Sequence, residues 1–283
     1  MSGCIEHTAI LSQLITEAKK HKKNLVATWL DICNAYGSIK HKLIQVALKR
    51  AHLPEEVQEL VSSYYDRVEI RFSTGKFITS WQRVERGIIT GCTLSVILFA
   101  LSMTMLLSST KKETRGPITE SGQIQENSRL YMDDVSTTTG TVVQTHHLLK
   151  EIARFFDWAR LAVKPSKCRV MVIVAGVVKN TQIHWKEHEI TSVLEKPIKY
   201  LGKEYNHTLT EQQQISQTMD RVKNSLKKID RTLIAGRVKA WIVQNMLLPR
   251  LMWPLTIYSF PQYRVEEIEG KLTIQPEEVS RHS

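Results

Sequence analysis

The residues best suited to chemistry in this sequence are three aspartates, Asp31, Asp133 and Asp134. Asp133 and Asp134 are adjacent, and neighbouring carboxylates repel each other unless a cation compensates them. Asp31 supplies a third carboxylate near the end of an apolar segment, where an uncompensated charge is unfavourable. Because Mg²⁺ prefers hard oxygen ligands, the three carboxylates predict a site that could share two divalent cations.

Two cations on shared carboxylates suit an in-line displacement at a nucleotide phosphate. One cation lowers the pKa of an attacking 3′-hydroxyl, and the other holds the triphosphate and stabilises the leaving oxygen. The alternative is a surface turn with two solvated aspartates. The chain has only seven Asp among its 28 acidic residues, so an adjacent pair is unexpected by chance.

The elements that must position these aspartates are a strand and a hairpin. Residues 25–32 (LVATWLDI) are short and almost wholly apolar, as in a strand buried on both faces, and Asp31 lies near its end. Residues 129–139 predict a hairpin with Asp133 and Asp134 at its tip. Consecutive strand residues point to opposite faces, so Asp134 would join Asp133 only if the turn twists the chain.

Other segments alternate between helical and extended patterns. A second hairpin is predicted around Thr74 and Gly75. The longest apolar stretch, residues 94–107, is shorter than the roughly 18–20 residues of a membrane span, so we interpret it as a buried core helix. Residues 213–248 have a helical period, with Val222, Leu226, Ile229 and Leu233 on one face. The last twenty or so residues are polar and are expected to fray.

The charge of the chain favours a polyanionic partner. It carries 39 Lys and Arg against 28 Asp and Glu, a formal net charge of +11. Residues 216–251 concentrate this charge, with eight Lys or Arg and two Asp. Nucleic acid is the partner expected before a membrane. The N-terminus has no secretory signal pattern, and four widely spaced cysteines favour a reducing compartment, so we expect an intracellular protein.

Five segments resemble motifs A to E of reverse transcriptases, in the family's order, over roughly residues 25–205. They are LDICNAYGSIKHKLI (30–44), GIITGCTLSVILFAL (87–101), YMDD (131–134), LAVKPSKCRVMVI (161–173) and IKYLGKEY (198–205). The sequence looks most similar to the reverse transcriptases of non-LTR retrotransposons.

The resemblance implies an α+β fold of the right-hand polymerase type. The palm, an antiparallel sheet packed on helices, would occupy residues 25–205, after a remnant of the fingers at 1–24. A helical thumb would follow at 206–260 and a polar tail at 261–283. The implied activity is RNA-directed DNA polymerisation in the nucleus or cytoplasm, with an RNA template, a DNA primer, dNTPs and two Mg²⁺ or Mn²⁺ ions.

The resemblance also implies roles for individual residues. Asp31, Asp133 and Asp134 would bind the metal ions, and Lys167 would be a general acid for pyrophosphate, unless it is only a solvated lysine. Tyr36 would be the steric gate against a 2′-hydroxyl, although a core aromatic is the alternative.

Further residues of the resemblance would contact nucleotide or nucleic acid. Gly91 would allow template and incoming base to approach, or else lie in a simple loop before a helix. Tyr200, Leu201 and Gly202 would form the primer grip. Lys223, Lys227 and Arg231 would follow the nucleic-acid backbone, unless they form only a solvated helix face.

The sequence departs from the family pattern in two places. Where motif B commonly has Gln and two prolines, this chain has Thr90, Thr93 and Val96. Most of the fingers region, and any endonuclease domain, is expected to be missing before residue 25. These departures keep an alternative open, namely a catalytically inactive nucleic-acid-binding relic of such an element.

Overall fold

The computed structural model describes residues 3–272, and the chain divides into two compact units. The sheet unit comprises Gln13–Lys196, and the helical unit comprises the described parts of residues 1–12 and 197–283. The α+β prediction is confirmed, because helices accompany an antiparallel sheet. The domain boundaries that the resemblance implies at residues 24, 205 and 260 remain predictions.

The regular elements are numbered in chain order. The helices are α1 (Cys4–Lys20), α2 (Ala35–Ser38), α3 (His41–Arg50), α4 (Glu55–Arg67), α5 (Thr93–Glu113), α6 (Val142–Ala159), α7 (Gln212–Asp230), α8 (Gly236–Ile242), α9 (Leu248–Ile257) and α10 (Gln262–Leu272). The strands are β1 (Leu25–Asp31), β2 (Glu69–Ile70), β3 (Ser73–Thr74), β4 (Phe77–Ile78), β5 (Gln82–Arg83), β6 (Ser128–Tyr131), β7 (Asp134–Thr139), β8 (Arg169–Val174), β9 (Val177–Lys179), β10 (His184–Trp185), β11 (His188–Glu189), β12 (Ile198–Tyr200) and β13 (Lys203–Tyr205). A 3₁₀ turn at Pro165–Lys167 precedes β8, and a π-helical turn at Val243–Leu247 precedes α9.

The main sheet is antiparallel, with the strand order β6-β7-β1-β8-β9. Strand β1 lies at its centre, and every residue from Leu25 to Leu30 is buried. This explains why the segment is apolar at consecutive positions instead of alternating. The predicted strand at residues 25–32 is therefore present, and Asp31 is its last residue.

Helices α5 and α6 cover one face of this sheet. Leu30 and its cross-strand partner Val135 share a hydrophobic cluster with Phe99 of α5 and Ile152 of α6. Side chains alternate along a strand, so Asp31 points to the face opposite Leu30. The sheet thus has a packed face toward these helices and places Asp31 on the other side.

Helix α5 matches the apolar stretch predicted as a core helix. By length and composition alone, Thr93–Glu113 could cross a membrane. Leu98, Phe99, Met103 and Leu106 are instead buried in the cluster beneath the sheet. The prediction of a buried core helix therefore holds for one side of α5, whereas Leu94, Val96 and Ile97 near its start are exposed.

Two predictions for the C-terminal region were wrong in detail. The helical period at 213–248 is interrupted, because α7 ends at Asp230 and α8 begins at Gly236. Leu233 lies in this break and is fully exposed, so it does not continue the apolar face of α7. The hydroxyl of Thr232 binds the carbonyl of Ile229, which satisfies one of the last acceptors of α7.

The predicted polar tail from residue 261 also contains regular structure. Helix α10 occupies Gln262–Leu272, and Ile268 on it is buried in a cluster with Met219, Val222, Leu247 and Leu251. Leu272, at the end of α10, is partly buried against the same cluster, so a few apolar side chains dock a segment that otherwise looks polar. Residues 273–283 of the predicted tail lie outside the described residues.

Candidate active site

The strand register brings two of the predicted aspartates together. Asp31 and Asp134 are direct partners at the end of the β1–β7 ladder. Cross-strand partners in an antiparallel pair share one face of the sheet, so both carboxylates lie on the same side. The backbone N–H of Ile32 donates to the carbonyl of Asp133 at 3.4 Å, which ties the third aspartate to the end of β1.

The turn between β6 and β7 consists of Met132 and Asp133. We predicted Asp133 and Asp134 at the hairpin tip, but Asp134 is the first residue of β7 and pairs with Tyr131. Met132 has a φ of +54°, a conformation that glycine adopts more easily. A positive φ at the first position of a two-residue loop suits the twist of a hairpin. The turn therefore stores backbone strain next to the carboxylates.

The carboxylates of Asp31, Asp133 and Asp134 influence one another electrostatically. Burial first, and then the neighbouring charges of Asp133 and Asp31, raise the pKa of Asp134 to about 6, while Lys167 opposes the shift. Folding therefore brings negatively charged carboxylates near one another, where they repel each other. A cation placed among these groups would relieve that repulsion.

Lys167 lies next to Asp31 at the end of β1. Its Nζ is 3.1 Å from Oδ1 of Asp31. The backbone N–H of Lys164 donates to the Asp31 carbonyl at 2.9 Å, so the segment before the 3₁₀ turn is fixed to the end of β1. The hydrogen bond to Asp31, and the charges of Asp31, Asp133 and Asp134, raise the pKa of Lys167. The ammonium is thus held in its charged form, while the role of general acid remains a prediction.

Tyr36 connects the Met132–Asp133 turn to helix α5. Its ring stacks on Phe99 with centroids 4.9 Å apart and an interplanar angle of 11°. Its hydroxyl donates to the sulfur of Met132 at 3.6 Å. Burial and then the charge of Asp133 raise the pKa of the Tyr36 hydroxyl. One side of the ring therefore belongs to the core, and the hydroxyl end faces the aspartates.

The glycine-containing segment before α5 is attached to the Tyr36 segment. The N–H of Ile88 donates to the carbonyl of Tyr36 at 2.8 Å, and the N–H of Gly87 donates to the carbonyl of Ile39 at 2.7 Å. Gly91 has a φ of +88° in the turn just before α5. A residue with a Cβ would be strained there, so a glycine suits this turn whatever it contacts.

Sequence reasoning missed two residues that shape this site. Phe99 is fully buried and supports Tyr36, and Met132 accepts the Tyr36 hydrogen bond. Phe99 lies within an apolar helix, where nothing in the pattern marks one apolar residue as the neighbour of Tyr36. Within the YMDD segment nothing marks Met132 as a neighbour of Tyr36, and its positive φ has no sequence signature.

The chemistry of the donor set fits a divalent cation. Within residues 3–272, no group of three or more His, Cys, Asp or Glu side chains is arranged to hold a metal ion. Mg²⁺ is usually bound by one or two carboxylates, with waters and substrate phosphates as further ligands. Asp31, Asp133 and Asp134 supply carboxylates whose mutual repulsion favours such a cation.

The remaining predicted residues lie in the helical unit. Tyr200 ends β12, and Leu201 and Gly202 form the turn to β13 with φ values of +47° and +84°. A Cβ on Gly202 would lie 2.2 Å from Nε1 of Trp253, so the turn packs closely on α9.

The predicted basic stripe follows one side of α7. Lys223 and Lys227 are exposed on α7, and Arg231 is exposed just beyond its end. The spacing of four residues places all three on one side, away from the buried Val222. All three side chains are therefore accessible to a partner on this side of α7.

Comparisons with known proteins agree with the motifs. The profile of the family described as "Reverse transcriptase (RNA-dependent DNA polymerase)" matches residues 1–205. Two relatives are each described as a retrovirus-related Pol polyprotein from type-1 retrotransposable element R2. The one from Nasonia vitripennis is 26% identical over 264 residues, and the one from Bradysia coprophila is 23% identical over 260 residues. These alignments cover 90% and 88% of this chain but only 25% and 29% of the relatives.

Proposed function

The chain belongs to the reverse transcriptase family, and on that premise we propose that it is the RNA-directed DNA polymerase domain of an R2-like, non-LTR retroelement. The observation that carries the proposal is the register of β1 and β7, which pairs Asp31 with Asp134 beside the Met132–Asp133 turn. In this proposal the sheet unit is the palm. The reaction transfers a nucleotide from a dNTP to a primer 3′-hydroxyl and releases pyrophosphate.

The residues of the sheet unit have distinct tasks in this reaction. Asp31, Asp133 and Asp134 hold divalent cations, Mg²⁺ or Mn²⁺. When bound, these cations supply the positive charge that lowers the pKa of the 3′-hydroxyl and stabilises the leaving oxygen. Lys167, held charged beside Asp31, donates a proton toward the departing pyrophosphate.

Tyr36 selects the sugar of the incoming nucleotide. Its ring is fixed from below by Phe99, and its hydroxyl is fixed by Met132. A side chain held at both ends excludes a 2′-hydroxyl by steric conflict, because it cannot move aside at low cost. The bond between Ile88 and Tyr36 couples this gate to the Gly91 turn, which we assign to the template and incoming base.

The helical unit supplies contacts to the nucleic acid. Tyr200, Leu201 and Gly202 form the primer grip, and α7 belongs to the thumb. Lys223, Lys227 and Arg231 neutralise backbone phosphates, which makes binding sequence-independent and salt-dependent. These contacts position an RNA template and a DNA primer without reading their sequence.

A primer-extension assay tests the proposal. The wild-type chain, with Mg²⁺ and dNTPs, is expected to extend a DNA primer on an RNA template, and Asp133→Asn is expected to abolish extension. Asp157→Asn is the matched control, because Asp157 is exposed and its carboxylate pairs with Lys186. Equal extension by wild type and Asp133→Asn would contradict the proposal.

The same assay distinguishes an active polymerase from an inactive relic. An inactive nucleic-acid-binding relic would bind the primer–template in a salt-sensitive manner and extend nothing, with or without Asp133. Its motivation is the altered motif B segment, with Thr90, Thr93 and Val96.

A further inference from the structure

A cavity in the sheet unit lies outside the proposed active site. It has a volume of about 310 Å³ and opens between the C-terminal ends of α3, α5 and α6. These helices lie on the face of the sheet that Leu30 and Val135 occupy, whereas Asp31 and Asp134 point to the other face. The cavity is at the lower end of the range for small-molecule sites, roughly 300–1,000 Å³.

The lining combines an exposed aromatic ring with cations. Trp158 is 55% exposed, and the centroid of its ring lies 5.7 Å from the ring centroid of the buried Phe155. Arg50 and Lys112 line the same cavity, and within residues 3–272 neither side chain has a hydrogen-bond or ion-pair partner. The half-exposed indole of Trp158 can stack on a planar ring. The side chains of Arg50 and Lys112 next to it can bind an anion.

The remaining wall of the cavity is fixed by a buried carboxylate. Glu151 is 7% exposed, accepts a hydrogen bond from Ser109 and pairs with Arg154 at 2.6 Å. Ser108 and Ser109 add hydroxyl groups to the lining. Glu113 also lines the cavity, so its one carboxylate stands against the cations of Arg50, Lys112 and Arg154. The cavity therefore offers an aromatic face, an excess of positive charge and hydroxyl groups on helices that hold them in place.

We propose that this cavity binds one nucleotide unit, with the base stacked on Trp158 and the phosphate between Arg50 and Lys112. The nucleotide is either free or part of a single strand, and both sources present the same base and phosphate. Stacking is sequence-tolerant because every base has a π-face, so no preference among bases is expected. The site is independent of the polymerase assignment, because none of its lining residues belongs to the aspartate cluster.

Alternatively, Arg50 and Lys112 could serve only to compensate the helix dipoles, because both lie in the last turns of their helices. Lys49 and Lys111 occupy the same last turns but do not line the cavity. The pair Lys49→Gln/Lys111→Gln therefore removes the same charge from the same helix ends. It is the matched control for Arg50→Gln/Lys112→Gln.

Binding is measured on the full chain carrying Asp133→Asn, in EDTA, so that polymerisation plays no part. AMP is titrated by calorimetry, and single-stranded RNA carrying 5-iodouridine is photocrosslinked and mapped by peptide mass spectrometry. We expect AMP affinity to fall at least about fivefold in Trp158→Ala and in Arg50→Gln/Lys112→Gln. Trp158→Phe and the control pair are expected to retain it.

Each outcome decides the proposal. AMP binding with that pattern of variants supports it with a free nucleotide. A crosslink at Trp158 that Arg50→Gln/Lys112→Gln removes and the control pair retains, without AMP binding, supports it with a strand. The proposal is overturned if AMP does not bind and no crosslink maps to Trp158, or if the two charge pairs behave alike. Loss of primer extension in the wild type would overturn only the polymerase assignment.

Discussion

At the scale of single residues, the site places like charges where they repel. Asp134 is partly buried beside Asp133 and opposite Asp31, and Lys167 opposes the repulsion among these carboxylates. A folded protein rarely retains such an arrangement for stability, because uncompensated buried charge is unfavourable. The aspartates are therefore better explained by the cation they would bind than by any contribution to the fold.

We predict that Asp134→Asn stabilises the protein when divalent ions are removed. The pKa of Asp134 is raised to about 6 in the folded state, so the ionised carboxylate destabilises folding at neutral pH, and the destabilisation fades as the pH falls. Asparagine has the same shape without the charge. In EDTA at neutral pH, the free energy of unfolding in urea should rise by about 1–2 kcal/mol. Asp157→Asn should change it little, and a less stable Asp134→Asn would contradict this explanation.

The steric-gate assignment predicts a change in sugar selectivity. Tyr36→Ala removes the ring, whereas Tyr36→Phe keeps it stacked on Phe99. If the ring excludes the 2′-hydroxyl, Tyr36→Ala should lower the preference for dNTP over rNTP by at least about tenfold. Tyr36→Phe should retain the preference. Single-nucleotide incorporation with matched dNTP and rNTP measures this, and unchanged selectivity in Tyr36→Ala would show that Tyr36 is only a core aromatic.

At the scale of elements, hairpin turns place the predicted functional residues. The β6–β7 turn contains Met132 at a φ of +54°, and the β12–β13 turn contains Leu201 and Gly202 at positive φ. Two consecutive positive φ values are the requirement of a type I′ hairpin turn. Gly202 meets that requirement, and its missing side chain also makes room for Trp253.

Gly202→Ala should therefore destabilise the helical unit. A Cβ there would lie 2.2 Å from Nε1 of Trp253, at a φ that disfavours alanine. We expect a loss of at least about 2 kcal/mol in the free energy of unfolding. Gly75→Ala is the control, because a Cβ at Gly75 meets nothing within 4 Å. Equal stability of both variants would mean that the β12–β13 turn does not pack on Trp253.

The sequence predicted elements better than it predicted their ends and contacts. The strand with Asp31 and the core helix α5 were foreseen, because consecutive buried positions leave an apolar run. The position of Asp134 as the first residue of β7 was not foreseen. The turn before it contains no glycine, so the sequence did not mark where the hairpin turns. Helix α10 was missed because few of its residues are apolar, with Ile268 buried and Leu272 partly buried against the cluster.

Long-range contacts of the candidate site had no sequence signature. The motifs led to Asp31, Asp133, Asp134 and Lys167, but not to the contacts between them, such as the pairing of Asp31 with Asp134 and the ion pair of Lys167 with Asp31. The support of Tyr36 by Phe99 depends on tertiary packing between distant segments, which neither periodicity nor spacing encodes.

At the scale of the whole molecule, charge is unevenly distributed. The net charge is +11, yet the aspartate cluster is acidic, and residues 216–251 carry eight basic residues and two acidic ones. The basic segment at residues 216–251 attracts a polyanion, and the carboxylates of Asp31, Asp133 and Asp134 attract cations.

Removing the basic stripe should weaken nucleic-acid binding in a salt-dependent way. In Lys223→Gln/Lys227→Gln/Arg231→Gln, the slope of log affinity against log salt should become shallower by about two to three. Lys20→Gln/Lys111→Gln/Lys196→Gln removes the same charge from exposed positions elsewhere and should change the slope less. Fluorescence anisotropy with an RNA–DNA primer–template measures both. Identical slopes would assign the stripe to a solvated helix face.

The most direct test of the central claim is single-turnover incorporation of one dNTP on an RNA template, with extended primer and released pyrophosphate counted together. The account predicts one pyrophosphate per primer extended by wild type with Mg²⁺. It predicts no product from Asp31→Asn, because Asp31 and its partner Asp134 form the shared carboxylate site. Normal incorporation by Asp31→Asn would contradict the account.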